Sequence, residues 1–174
     1  TLAENVGLPL YEHTRLPKAT IRKTVLRILE LVGLAEFADY YPNELSGGMK
    51  KRGGLARAIV TEPPLLFCDE PTSGLDPINS AQMDQLLLDM RKSYPEMTMI
   101  VVSHDLASVA RVADHVLVLR EGRVVFSGSH TELEASSDAY LRRFMDRKAE
   151  ETASRVAAAA DPDVRAALDA WLEG

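Results

Sequence analysis

Two short apolar segments with a helical pattern between them constrain the fold of this chain more than any other feature. They span residues 65–68 and Thr98–Val102, and residues 78–94 between them carry apolar side chains at helical spacing. Continuous apolar runs of this length are typical of strands buried on both faces, as in parallel sheets whose connections are helices. The pattern therefore predicts an α/β fold with a mostly parallel sheet and with both strands buried on each face.

Polar residues follow both predicted strands. Asp69 and Glu70 come directly after the first strand, and His104 comes two residues after the second. Ligands of parallel α/β sheets bind beyond the carboxyl ends of the strands, so these side chains are expected at one edge. Successive strand residues point to opposite sides, so the two carboxylates must serve different purposes. One could ligate Mg²⁺ while the other activates a water, or both could cap a turn, and a histidine in such a place is more often structural than catalytic.

A second candidate site lies at the start of a helix predicted over residues 46–60. Ser46 is a capping residue, and Gly47 and Gly48 have no side chains, so the backbone N–H groups there are open to an approaching anion. Three cations follow in the next turn, at Lys50, Lys51 and Arg52. Cations at a helix start oppose the helix dipole. The arrangement indicates an external anion, unless this is a solvated basic turn on an ordinary helix.

Other patterns predict the remaining local structure. The first twenty residues indicate irregular structure with one short helix, and Thr20 is expected to cap a second helix that Gly33 ends. Glu121-Gly122 lies between two apolar runs and predicts a β-hairpin. Gly53-Gly54, inside the helix that follows Ser46, either permits close packing or weakens that helix locally.

The carboxyl-terminal part, from about residue 148, is Ala-rich and charged. An apolar stripe there predicts a short helix. We expect this helix to dock on its own domain or, alternatively, on a partner subunit. The stripe consists of Val164, Leu168, Trp171 and Leu172.

Composition excludes several classes of protein. The 174 residues are 46% hydrophobic and 26% charged, which is ordinary for a globular domain and excludes a disordered chain. The net charge of -6 disfavours a general nucleic-acid binder, so no nucleic-acid partner is expected. The single cysteine, Cys68, excludes an internal disulfide framework and a cysteine zinc cluster. No uncharged segment approaches the roughly 18 residues needed to span a bilayer.

Four motifs, in their order and spacing, resemble those of ATP-binding cassette (ABC) ATPases. They are the signature motif at residues 45–49 (LSGGM), the Walker B strand with its adjoining glutamate at residues 65–72 (LLFCDEPT), the D-loop at residues 73–76 and the switch histidine at residues 102–105. The resemblance implies a P-loop NTPase-like ABC ATPase domain, present in part, over about residues 1–145. Within it we expect part of a helical subdomain over about residues 19–46 and a catalytic α/β core over about residues 65–129. Residues 146–174 would form a C-terminal helical extension.

The resemblance also implies roles for the residues of these motifs. Asp69 would hold Mg²⁺ through water, Glu70 would be the general base that polarises the attacking water, and His104 would contact the γ-phosphate of ATP. A further group would act between two subunits. Its members are Ser46, Gly47 and Gly48, which would grip the γ-phosphate of a nucleotide bound to the other subunit, and Asp76, which would help to join the two half-sites.

Within the ABC family, residues 47–52 and the opening residues 4–17 look most like the Mla-type subunits, which power lipid transport together with MCE-domain proteins. This resemblance implies ATP and Mg²⁺ as cofactors and a second ATPase subunit, expected to be an identical copy. It also implies a transmembrane permease, an MCE-type lipid-binding partner, and a peripheral position on the cytoplasmic face of the inner or plasma membrane. The alternatives are a soluble ABC ATPase of translation or DNA repair and a non-catalytic subunit with a regulatory or structural role.

The P-loop pattern, Gly-x-x-x-x-Gly-Lys-Ser/Thr, is absent from the chain. In the family it lies upstream of the residues that resemble this chain's opening, so a missing N-terminal segment is expected. The chain by itself is expected to offer its Ser46 helix to a partner's ATP but to hydrolyse none. It is also expected to be poorly soluble, because the missing strands would leave an unpaired apolar sheet edge.

Overall fold

A computed structural model describes residues 1–146 of the 174-residue chain, and these fall into two compact units, Thr1–Val116 and a second that begins at Leu117. The helices of the described residues are α1 (Leu2–His13), α2 (Lys18–Leu31), α3 (Gly47–Ile59), α4 (Pro77–Ser93), α5 (Leu106–Val112), α6 (His130–Glu134) and α7 (Ala139–Met145). The strands are β1 (Leu65–Asp69), β2 (Thr98–Val102), β3 (Val116–Arg120) and β4 (Arg123–Gly128). Two 3₁₀ turns, Ala35–Phe37 and Pro42–Glu44, lie between α2 and α3. Apart from Asp146, the predicted C-terminal extension and its apolar stripe lie outside these residues.

β1 and β2 are parallel neighbours, as the sequence pattern predicts. Their register runs from Leu65 opposite Thr98 to Asp69 opposite Val102. Parallel strands need a crossover connection, and α4 provides it. Both strands therefore end at the same edge of the sheet, and the residues that follow them are brought to that edge together.

The core of the first unit lies between its helices and one face of this sheet. α1 packs against both α2 and α3, because each helix has one apolar side. The largest fully buried apolar side chains come from the helices and from the segment after α2. They are Val6, Ile21, Val25, Ile28, Leu29, Val32, Leu34, Ile59, Leu87 and Met90. Within residues 1–146, none of the helices combines the length and the apolar character that crossing a membrane requires.

The helices of the first unit cover only one face of the β1–β2 pair. Leu66 and Cys68 point to the covered face, and burial raises the pKa of the Cys68 thiol. Paired residues of neighbouring strands share a face. On the other face the exposed side chains are Leu65 (44%), Phe67 (67%), Ile100 (42%) and Val102 (54%). The expectation that both faces are buried is therefore wrong for this part of the chain, since the helices of the first unit pack against one face alone.

The amino-terminal residues form more regular structure than their sequence pattern indicates. Thr1 and Glu4 form a capping box, and the helix that they start, α1, is 12 residues long. α2 begins at Lys18, because the Pro17 carbonyl already accepts a hydrogen bond from the Thr20 N–H at 2.9 Å. Thr20 therefore lies inside the helix, and the expectation that it caps α2 is wrong.

Two predicted turns are confirmed, and both use left-handed backbone. Gly33 ends α2 with a φ of 67°. Glu121 and Gly122 have φ values of 50° and 74°, the combination that a two-residue hairpin turn requires. In the second unit α6 packs against β4 and α7, and the Arg120 guanidinium lies 4.2 Å from the centre of the Tyr140 ring.

The two adjacent glycines of α3 lie in different surroundings. A Cβ atom on Gly53 would stand 2.9 Å from Leu2 Cδ1, whereas a Cβ atom on Gly54 would meet nothing within 4 Å. Gly53 is buried and Gly54 is exposed. Gly53 therefore permits α1 to approach α3 closely, and Gly54 only weakens the helix, so each of the two alternatives applies to one glycine.

Candidate functional site

Glu70 and His104 meet at the carboxyl edge of the β1–β2 pair. The Glu70 N–H donates to the Val102 carbonyl at 2.8 Å, which continues the strand pairing one residue past β1. Glu70 Oε1 accepts a hydrogen bond from the His104 backbone N–H at 3.2 Å and lies 2.7 Å from His104 Nδ1. The structure thus brings together the two residues that the sequence resemblance marks as catalytic.

The Glu70–His104 contact determines where the imidazole hydrogen lies. An ionised carboxylate can only accept, so Nδ1 carries the hydrogen whenever Glu70 is ionised. The other carboxylate oxygen, Oε2, is buried and has no hydrogen-bond partner among the described residues. A buried oxygen without a partner is costly, so Oε2 is the atom of this site that most needs a ligand such as a water molecule.

Lys51 of α3 contacts the turn that carries Glu70. Its Nζ donates to the Glu70 carbonyl at 3.1 Å and also to the Ser73 carbonyl. Glu70 has a φ of 48°, a left-handed conformation that is uncommon for a residue with a side chain. The sequence pattern marks Lys51 only as one of three basic residues near a helix start, because no local spacing reveals which carbonyls its ammonium reaches.

Asp69 lies at the end of β1, and its side chain is exposed. Its carboxylate belongs to the hard oxygen ligands that Mg²⁺ prefers. Within residues 1–146 no cluster of three or more His, Cys, Asp and Glu side chains could hold a metal ion. Asp69 could therefore hold a cation only together with other ligands. Mg²⁺ suits such a site, because it commonly binds one carboxylate, several water molecules and the phosphates of a substrate.

Ser46 caps α3, as predicted, and leaves the first amides of the helix open. Ser46 Oγ accepts from the Met49 N–H at 3.3 Å, while the N–H groups of Gly47 and Gly48 have no acceptor within the helix itself. A Cβ atom on Gly47 would meet nothing within 4 Å, and the first turn contains no acidic residue. The geometry of an anion site is therefore present at this end of α3.

Asp76 caps the start of α4. Its Oδ1 accepts from the N–H groups of Ile78 and Asn79 at 3.0 Å each. The bond from the Asn79 N–H is the main cause that lowers the pKa of Asp76 below its ordinary value. A Cβ atom on Gly48 would lie 3.7 Å from Leu75 Cδ2, so the turn that resembles the D-loop lies beside the amino-terminal end of α3.

A buried carboxylate joins α4 to α5, the helix that follows His104. The Asp84 side chain is 3% exposed and accepts hydrogen bonds from Ser108 Oγ at 2.5 Å and from Arg111 Nη1 at 2.8 Å. Sequence reasoning missed this cluster. The sequence signal that could have revealed it is an aspartate on the apolar face of α4, since Asp84 lies three residues before the buried Leu87.

Comparisons with known proteins agree with this fold. The family described as ABC transporter matches residues 1–73 of the chain. The solved structure of cbiO1 from Clostridium perfringens, part of the ABC transporter complex cbiONQ, has a TM-score of 0.71 and 33% identity, covering 83% of this chain and 57% of that one. A dimeric ATP-binding cassette in a post-hydrolysis state, bound to ADP and phosphate, has a TM-score of 0.65 and 32% identity, covering 74% and 56%. The chain belongs to the ABC transporter ATP-binding family and has the α/β fold of its ATPase domain.

Two curated relatives are similar to this chain over most of its length. The intermembrane phospholipid transport system ATP-binding protein MlaF of Escherichia coli is 43% identical over 143 residues, which are 82% of this chain and 53% of that protein. The methionine import ATP-binding protein MetN 1 of Shouchella clausii is 43% identical over 129 residues, which are 74% of this chain and 37% of that protein. The resemblance to Mla-type subunits is thus supported by sequence identity, and the chain spans about half the length of MlaF.

Proposed function

We propose that this chain is the part of an ABC transporter's ATP-hydrolysing subunit that contains the catalytic glutamate, Glu70, and α3, the helix that begins within the signature motif and is called the signature helix below. The observation that carries the proposal is the Glu70–His104 pair, in which one carboxylate oxygen is held by His104 and the other is buried without a partner among the described residues. A carboxylate can act as a general base toward a water molecule, and Oε2 is the oxygen that His104 leaves unengaged.

The residues of the strand edge suit phosphoryl transfer, which depends on positioning and charge neutralisation more than on covalent chemistry. In this proposal Glu70 accepts the proton of the attacking water. His104 contacts the γ-phosphate of ATP through Nε2. Because Nδ1 already donates to Glu70, this contact requires the imidazolium form, in which both ring nitrogens are donors. Asp69 holds Mg²⁺ through water, and the ion, when bound, neutralises phosphate charge.

The signature helix completes the site of a second subunit. The open amides of Gly47 and Gly48 and the capping hydroxyl of Ser46 bind the γ-phosphate of a nucleotide held by the other copy. Asp76 helps to join the two half-sites through the turn that it closes at the start of α4. The dimeric relative bound to ADP and phosphate supports an arrangement of this kind.

The base role is tested with Glu70→Gln in the full-length protein that carries this sequence together with a P-loop. We expect ATP binding to persist and turnover to fall by roughly 10²–10⁴-fold, the usual contribution of a general base. Glu96→Gln is the matched control, because it makes the same chemical change at an exposed residue before β2. Unchanged turnover in Glu70→Gln would remove Glu70 from the base role.

We further propose phospholipid transport, through a transmembrane permease and an MCE-type lipid-binding protein, with the ATPase bound peripherally at the cytoplasmic face of the membrane. The identity to MlaF supports this substrate class, and the equal identity to MetN 1 makes methionine one competing substrate. The test is the complete transporter in vesicles, supplied with fluorescent phospholipid or labelled methionine. ATP-dependent redistribution of the phospholipid alone is expected, whereas ATP-dependent methionine uptake would contradict the lipid assignment.

A further inference from the structure

One of the contacts that hold the turn after β1 comes from α3, the signature helix. Among the described residues, the Glu70 carbonyl accepts from the Lys51 ammonium at 3.1 Å and from the Ser73 N–H at 3.2 Å. Lys51 Nζ also reaches the Ser73 carbonyl, so it bridges the two ends of this turn. Hydrogen bonds from a charged donor are stronger than those between neutral groups, which makes Lys51 the strongest donor to the turn.

Glu70 depends on this support because of its backbone conformation. A side-chain-bearing residue with a φ of 48° persists only where its surroundings hold it there. The Glu70 N–H is fixed by the Val102 carbonyl at 2.8 Å, and Lys51 fixes the carbonyl on the other side of the same residue. Hydrogen bonds on both peptide groups of Glu70 therefore fix its backbone conformation and, with it, the direction of its side chain.

We infer that Lys51 is a positioning residue for Glu70: its ammonium holds the left-handed turn that directs the carboxylate to His104. Lys51 also lies four residues after Gly47, one turn further along the same side of α3. If α3 shifts when its amino-terminal end binds a phosphate, the Lys51 side chain therefore transmits that shift to the Glu70 carbonyl. This inference rests on the proposed base role of Glu70, and it makes the signature helix control the base of its own subunit.

The test compares Lys51→Met, Lys51→Arg and Lys50→Met in the full-length protein, with kcat and KM for ATP measured at equal folded fraction. Lys51→Met keeps the stem and removes the donors, and we expect kcat to fall by about 10- to 100-fold, the cost of misplacing a reacting group by about 1 Å. KM for ATP should change by less than about twofold, since the contact acts on the base and not on binding. Lys51→Arg retains donors and should recover most of kcat.

Lys50→Met removes the same charge from the neighbouring exposed lysine and reports the effect of charge alone. A loss of kcat in Lys50→Met equal to that in Lys51→Met would overturn the inference. So would a loss in Lys51→Met that disappears when activity is normalised to folded protein.

A double variant separates this inference from the base role itself. If Lys51 acts through Glu70, then adding Lys51→Met to Glu70→Gln should lower turnover no further, because both changes disable the same step. Amide hydrogen exchange gives a readout that needs no activity. In Lys51→Met the N–H groups of Glu70 and Ser73 should exchange faster by about tenfold or more, as expected when a charged hydrogen bond is lost. Wild-type kcat and wild-type exchange in Lys51→Met, with Glu70→Gln still inactive, would refute the positioning role and leave the base role intact.

Discussion

Gly53 and Gly54 are neighbours in α3, but a methyl group added to each would meet different surroundings. At Gly54 the added methyl would meet nothing within 4 Å, so Gly54→Ala removes only the conformational cost of a glycine inside a helix. That cost is about 0.8–1.0 kcal/mol relative to alanine. We therefore expect Gly54→Ala to raise the free energy of unfolding by about 1 kcal/mol.

At Gly53 the same gain is opposed by a steric conflict. The added Cβ atom would stand 2.9 Å from Leu2 Cδ1, and Leu2 is only 4% exposed, so its methyl group is confined by the core. Overpacking a filled core costs about 1–3 kcal/mol, which equals or exceeds the helical gain of about 1 kcal/mol. Gly53→Ala should therefore lower the free energy of unfolding by up to about 2 kcal/mol.

Urea and thermal unfolding followed by circular dichroism distinguish the two variants. A difference of 1 kcal/mol corresponds to about 2–4 °C in the melting temperature of a chain of this size. Leu2→Ala provides the control background, because without the Leu2 methyl groups Gly53→Ala should become stabilising. Equal stabilisation by both alanines in the wild-type background would refute the reasoning, since it would show that Gly53 has the same free space as Gly54.

Three further predictions concern other parts of the chain. Asp84→Ala should lower the free energy of unfolding by about 1–3 kcal/mol, because it leaves the buried Ser108 hydroxyl without its acceptor, whereas the half-exposed Arg111 can be solvated. Asp84→Asn, which keeps an acceptor for Ser108, should lower it less, and denaturant unfolding with equal losses would contradict the network. The lowered pKa of Asp76 means that its ionised form stabilises the fold above its ordinary pKa of about 3.9, and that this contribution is lost as the pH falls through the lowered value. Asp76→Asn keeps a capping oxygen, so its stability relative to the wild type should rise below about pH 4; a difference independent of pH would count against the assignment. The purified 174-residue chain contains no P-loop and should hydrolyse no ATP, so measurable phosphate release would contradict this reading.

Most of the backbone and part of the candidate site could be predicted from sequence, because their causes are local. Ser46 caps α3 through an amide three residues away, and Gly33 ends α2 by its own left-handed backbone. The meeting of Glu70 and His104 follows from one further rule, that parallel strands end at the same edge. Thr20 failed as a cap for an equally local reason, since the Pro17 carbonyl starts the helix earlier.

The remaining features depend on atoms that are distant along the chain, and no pattern within a few residues contains them. By itself, the sequence determined where most of the elements lie and which polar residues follow the strands, because capping, periodicity and backbone preference act over short spans. Only the tertiary structure decided that Lys51 reaches carbonyls 19 and 22 residues away, that Gly53 faces Leu2 while Gly54 faces open space, and that the helices of the first unit leave one face of the β1–β2 pair exposed. These outcomes are set by how close the packed elements approach each other, and that distance exists only once the chain has folded.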